Sequence, residues 1–175
     1  MNSPPSQQSN SKPSSSQSTA PQQPSTQAPA NNITTGQQNA LERAHSYLSV
    51  MSFSRQGLID QLLFEGYSQA DAEYAVNNCG ADWNAQALGK AKDYLNVQSF
   101  SYSGLIHQLE FEGFTTEQAT YGANNCGADW NEQAAKSAKN YLELMSFSRE
   151  ELISQLEFEG FTHEQAVYGA TANGY

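Results

Sequence analysis

Three histidines, two cysteines and a recurring set of glutamates are the side chains here from which a reactive site could be built. His45, His107 and His163 would serve a metal or an acid–base step only if folding gathered them. Their places do not coincide in the spacing that governs the rest of the chain, and their counterparts are surface-type residues, so solvated histidines are expected. Cys79 and Cys126 stand 47 residues apart without CxxC spacing, so zinc and redox motifs are absent. A disulfide would require their Cα atoms within about 7 Å, and two buried thiols are the expectation instead. The chain holds no GxSxG, no Walker loop and no HExxH. A protein without catalysis, cofactor or metal is expected.

The glutamates are more suggestive. Glu65, Glu112 and Glu159 share the spacing of 47, and Glu110 and Glu157 precede the last two. A carboxylate in the last turn of a helix opposes the helix dipole, so local stability does not account for it. Two readings stand. The carboxylate reaches the free amides that open the next helix, or it joins an acidic strip offered to a basic partner. The second reading nominates Glu65, Glu110, Glu112, Glu157 and Glu159 as partner-binding residues, with Glu150 and Glu151 contributing. Gln61, Gln108 and Gln155 fit either role, and Tyr74, Tyr121 and Tyr168 are expected to pack between units.

The elements that must position these residues come from an internal repeat. Tyr47, Tyr94 and Tyr141 are 47 apart, as are Phe53, Phe100 and Phe147, and Gly66, Gly113 and Gly160. Units of 35–81, 82–128 and 129–175 follow without a gap. Such a period marks small supersecondary units, each needing its neighbour to complete a core. Each unit reads as three helices. The first begins at Thr35, Asp82 or Asp129, with Gln38 and Glu132 completing capping boxes in the outer units. The second begins at Ser54, Ser101 or Ser148 and ends at a glycine. The third begins at Ser68, Thr115 or Thr162. No segment alternates as a strand would, so the fold class is all-α, three tandem three-helix repeats. Trp83 and Trp130 open the second and third units where Gly36 opens the first. Together with Cys79 and Cys126, they are expected to pack between repeats, the tryptophans against the preceding unit's third helix.

Composition sets the outer limits. The chain has 175 residues, with 8 basic against 18 acidic and a formal charge of −10. Every acidic residue follows residue 34, and every proline precedes it. Residues 1–34 are rich in Ser, Pro and Gln and are expected to be a disordered spacer, since they cannot bury enough apolar surface to offset ordering. The acidic balance argues against nucleic acid and against electrostatic docking on anionic lipid. No apolar run approaches the roughly 18 residues of a membrane span, and the opening residues do not read as a signal peptide.

Two runs, FSREELISQLEFEGF at 147–161 and NNCGADWNEQAAKSAKNYL at 124–142, carry a resemblance. With their counterparts in the other units they resemble the Ltp-like family of host cell surface-exposed lipoproteins, over about 35–175. The resemblance implies a superinfection-exclusion protein on the outer face of the cytoplasmic membrane of a Gram-positive bacterium. It would block phage DNA injection, with a phage tail protein, notably the tape-measure protein, as partner. It also implies a lipid anchor. Mature members open with a lipidated cysteine; residue 1 here is Met, and removal of signal peptide and anchor cysteine ahead of the spacer is expected. Two other readings remain open. Leu58–Tyr67, a short helix and Ala81–Leu95 also resemble the ubiquitin-associated module, which would make a cytoplasmic binding array. A wall-associated adhesion or spacer protein is the third.

Overall fold

The computed structural model describes residues 33–175. Among them are nine α-helices and no strand, in three successive units. The first holds α1 (Thr35–Leu48), α2 (Arg55–Phe64) and α3 (Gln69–Asn78); the second α4 (Trp83–Val97), α5 (Tyr102–Phe111) and α6 (Thr116–Asn125). The third holds α7 (Trp130–Leu144), α8 (Arg149–Phe158) and α9 (His163–Ala172). None is long and apolar enough to cross a membrane. The expected spacer lies outside the described residues, apart from Ile33 and Thr34.

Local chemistry sets the helix ends. The hydroxyls of Ser54, Ser101 and Ser148 accept from the backbone N–H three residues on, and Ser68, Thr115 and Thr162 do the same for the third helices. At the end of α2, Gly66 takes φ +92°, a conformation that only glycine adopts cheaply. That turn lets the N–H groups of Gly66 and Tyr67 bond the carbonyls of Leu63 and Leu62, at 2.9 and 3.2 Å.

Of the two capping boxes expected on the first helices, one is displaced and the other does not form. In α1 the cap is Thr34, whose N–H bonds Gln37 Oε1 at 3.0 Å, while Gln38 reaches forward to Glu42. The first helix of the first repeat is therefore capped one residue earlier than its counterparts at Asp82 and Asp129. In α7, Asp129 caps alone, because the Glu132 carboxylate accepts instead from the Tyr168 hydroxyl at 2.9 Å.

The expectation of a shared core is corrected. Each repeat has its own buried cluster, and the substantial helix pairings all lie within a repeat. The reason is side-chain size. Ala40 and Ala44 of α1 face Ala72 and Ala75 of α3, all fully buried, so the two backbones approach closely. In the later units a glycine joins the interface: a Cβ at Gly122 or Gly169 would meet the Ala87 or Ala134 carbonyl oxygen at 2.8 Å. Leu58 and Leu62, fully buried, then close the unit from α2. Burying one such leucine contributes about 1.5–3 kcal/mol. Three short helices thus supply the buried residues of each core themselves, and the following unit adds only Trp83 or Trp130 at the edge of the first two.

Candidate binding surface

The recurring glutamates sit at the C-caps of the second helices and turn back toward the first helices. Glu65 accepts from the Tyr47 hydroxyl, Glu112 from Tyr94 and Glu159 from Tyr141. Gln61, Gln108 and Gln155, one turn earlier, each donate an amide hydrogen to that tyrosine oxygen at 3.0 Å. Three positions left open by sequence thus form one hydrogen-bonded set, repeated three times. The expectation that the glutamates reach the amides opening the third helix is wrong: the first-helix tyrosines hold their carboxylates, and Ser68, Thr115 and Thr162 cap the third helices instead.

A fourth member varies. Arg43 grips Glu65 in a two-pronged pair at 2.6 and 2.7 Å and lies over the Tyr47 ring. That guanidinium, helped by the tyrosine hydroxyl, holds the Glu65 carboxyl down at about 2. Lys90 takes the equivalent place in the second repeat, 3.3 Å from Glu112. In the third the residue is Ser137, buried, donating to Glu159 at 2.7 Å. Burial, and then the neighbouring carboxylate, push the Tyr94 and Tyr141 hydroxyls above the ordinary tyrosine range.

Adjacent repeats meet where one second helix begins and the next ends. Ser54 Oγ donates to the Glu112 carbonyl at 2.5 Å, and Ser101 Oγ to the Glu159 carbonyl at 2.6 Å. The Phe53 and Phe100 N–H groups donate to Gln86 and Gln133 of the following first helices, at 3.1 and 3.4 Å. Beside the second of these seams lies a cleft of about 460 Å³, lined by Phe100, Gly104, Ser137, Tyr141, Leu144 and Glu159, among others.

The remaining nominated acids divide. Glu110 accepts from Thr116 Oγ1 at 2.6 Å and lies 3.4 Å from His107, while Glu157 pairs with His163 at 2.7 Å. Glu150 is exposed in the first turn of α8. Glu151 completes a capping box with Ser148, whose backbone N–H holds its carboxyl below the usual range. The set is therefore two kinds of acid: three tied into tyrosine networks, and four outside them, of which Glu150, Glu151 and Glu157 are exposed and Glu110 is half-buried.

Trp83 and Trp130 are half-buried against the cores of the units that precede them. Trp130 meets Tyr102 edge to face at 5.5 Å, so its aromatic partner is on the second helix rather than the third. Cys79 and Cys126 are free, half-buried thiols packed on their own repeats' cores. Tyr121 and Tyr168 are exposed on the third helices. Sequence reasoning missed Phe64, Phe111 and Phe158, which are 88, 86 and 87 % exposed. Their signal is positional: they fall off the stripe formed in α2 by Leu58 and Leu62, so they face outward.

The model of a family described as host cell surface-exposed lipoprotein matches residues 35–79, 82–126 and 129–171. These matches follow the frame that starts at residue 35, not the shifted frame of a ubiquitin-associated module. No curated protein matches the chain. Among solved structures it is similar to Ltp, a superinfection exclusion protein from the Streptococcus thermophilus temperate phage TP-J34. The identity is 38 % and the TM-score 0.52, covering 54 % of this chain and 98 % of that one.

Proposed function

This chain belongs to the family of host cell surface-exposed lipoproteins, and we propose that it is a superinfection-exclusion protein that blocks phage DNA injection. The observation that carries the proposal is the 38 % identity to the phage TP-J34 exclusion protein, across nearly the whole of that solved chain. A lipid anchor would hold it on the outer face of the cytoplasmic membrane of a Gram-positive cell. Its partner is a basic segment of an incoming phage's tail or tape-measure protein.

Charge supports this choice of partner. All 18 acidic residues lie in the repeats, against 8 basic residues in the whole chain. Glu110, Glu150 and Glu157, one or more per later unit, lie outside the tyrosine networks and meet a basic chain without first breaking one. Each contact is weak alone. Repeats on one tether raise the effective concentration of the next contact, so several weak sites act as one strong one. Binding and holding suffice, and no chemical step is required.

The test is to display residues 33–175 behind a lipidated cysteine on a phage-sensitive host. Phage should adsorb at the normal rate while its DNA stays outside. Normal DNA entry into cells that carry the protein on their surface would end this reading.

A further inference from the structure

The three carboxylate networks differ at one place, the residues at 43, 90 and 137. Arg43 pairs with Glu65 and lies 4.7 Å from the Tyr47 ring centroid. Lys90 Nζ lies 3.3 Å from Glu112 and 5.9 Å from the Tyr94 ring centroid. Each cation thus sits between a carboxylate and a tyrosine face. In the third repeat Ser137 replaces it, and among the described residues no cation reaches Glu159 or covers the Tyr141 ring. The space that a lysine would fill is open: Ser137, Tyr141 and Glu159 line the 460 Å³ cleft, with Phe100 and Leu144 beside them.

We infer that this cleft receives one lysine or arginine side chain of a bound protein, the cation lying between Glu159 and Tyr141 as Lys90 lies between Glu112 and Tyr94. The ring face and the carboxylate are both attractive to a cation, and Glu159 is half-buried, where such contacts are less screened than at an open surface. Phe100 and Leu144 suit the methylene stem behind the charge. The site is pre-formed, because Ser137 and Tyr141 already hold the carboxylate in place. This rests on the reading that the partner is basic, and it narrows the contact from an acidic surface to one seat between the second and third repeats.

The probe is n-butylammonium, a lysine head without a backbone, titrated into the full chain and followed by amide NMR. Saturable shifts are expected at Gly104, Ser137 and Leu144. The equivalent residues Gly57, Lys90 and Val97, where Lys90 fills the seat, should not move. Ser137→Lys should abolish the shifts without lowering the melting temperature, and Glu159→Gln should raise the Kd about tenfold, the loss of one charge-assisted contact. Equal shifts with n-butanol would reveal only an apolar cleft and overturn the inference. So would equal shifts at both seams, no shift at all, or binding that survives Ser137→Lys. The functional proposal is judged separately by phage DNA entry: a wild-type chain that excludes phage but ignores butylammonium would sink the cleft and leave that proposal standing.

Discussion

Ser54 and Glu112, 58 positions apart, are joined by a hydrogen bond of 2.5 Å from the serine hydroxyl to the glutamate's backbone carbonyl. The Glu112 side chain meanwhile accepts from Tyr94 within its own unit. One residue therefore ties repeat to repeat through its main chain and helix to helix through its carboxylate. Ser101 and Glu159 do the same at the next seam. Adjacent units are thus joined by polar contacts as well as by the tryptophans that rest on the preceding cores.

This arrangement predicts a difference between equivalent serines. Ser148→Ala removes a helix cap and should cost about 1 kcal/mol. Ser54→Ala removes the same kind of cap plus the bond to Glu112, and should cost about 1 kcal/mol more. Denaturant melts of the two variants give the comparison directly. Equal losses would mean that the seam bond contributes nothing.

Trp130 should matter to the unit before it. Its ring rests on the second repeat's core and against Tyr102. Trp130→Ala should cost about 3 kcal/mol, the low end for such truncations because the ring is half-exposed. Hydrogen exchange should show the loss mainly in α5 and α6, with α7 keeping its own protection.

The first repeat should be acid-sensitive through Glu65. Its folded carboxyl titrates at about 2, against 4.5 for the ordinary side chain. A depressed folded value means that the stabilisation is present in full above pH 4.5 and drains away as pH falls toward 2. Carboxyl NMR should find Glu65 still ionised at a pH where ordinary glutamates are mostly protonated. Arg43→Ala should return its titration toward the ordinary range; an unmoved titration would deny the guanidinium this role.

Charge reversal should separate the two kinds of acid. Lysine at Glu110, Glu150 and Glu157 should weaken capture of a basic tail segment and leave the melting temperature within about 2 °C. Lysine at Glu112 should also lower the melting temperature, since it strands Tyr94 and repels Lys90. Wild-type capture should fall steeply as added salt shortens the Debye length from about 10 to 3 Å. Salt-independent capture would move the contact to apolar surface such as Phe64, Phe111 and Phe158.

The repeat, the nine helices and most of their caps were legible because they rest on local chemistry: a serine before a helix, a glycine after it, leucines one turn apart. The tyrosine–glutamate networks were not. Tyr47 and Glu65 are 18 residues apart on different helices, and only the packing of α1 on α2 reveals that they meet. The private cores were missed because periodicity implies stacking, whereas the buried alanines of α1 and α3 let each unit close on itself. The cleft was hidden in a single exchange, lysine to serine at 137, whose meaning depends on what its counterparts touch.

Glu151 occupies the place that Gly57 and Gly104 hold in the earlier units. Gly104 lies close under the following repeat, where an added Cβ would stand 3.5 Å from the Glu159 carbonyl oxygen. On the third unit the same face carries Glu150 and Glu151, the latter folded back onto the Ser148 N–H at 2.8 Å. The Glu65 carbonyl of another molecule's first unit, arriving there as the Glu112 and Glu159 carbonyls do at the seams, would meet negative charge instead of a glycine. Contacts of one kind that do not close build open filaments, and both seams here run the same way, from the serine of one unit to the glutamate carbonyl of the next. The third unit thus lacks the glycine floor on which Ser54 and Ser101 meet the next unit's carbonyl.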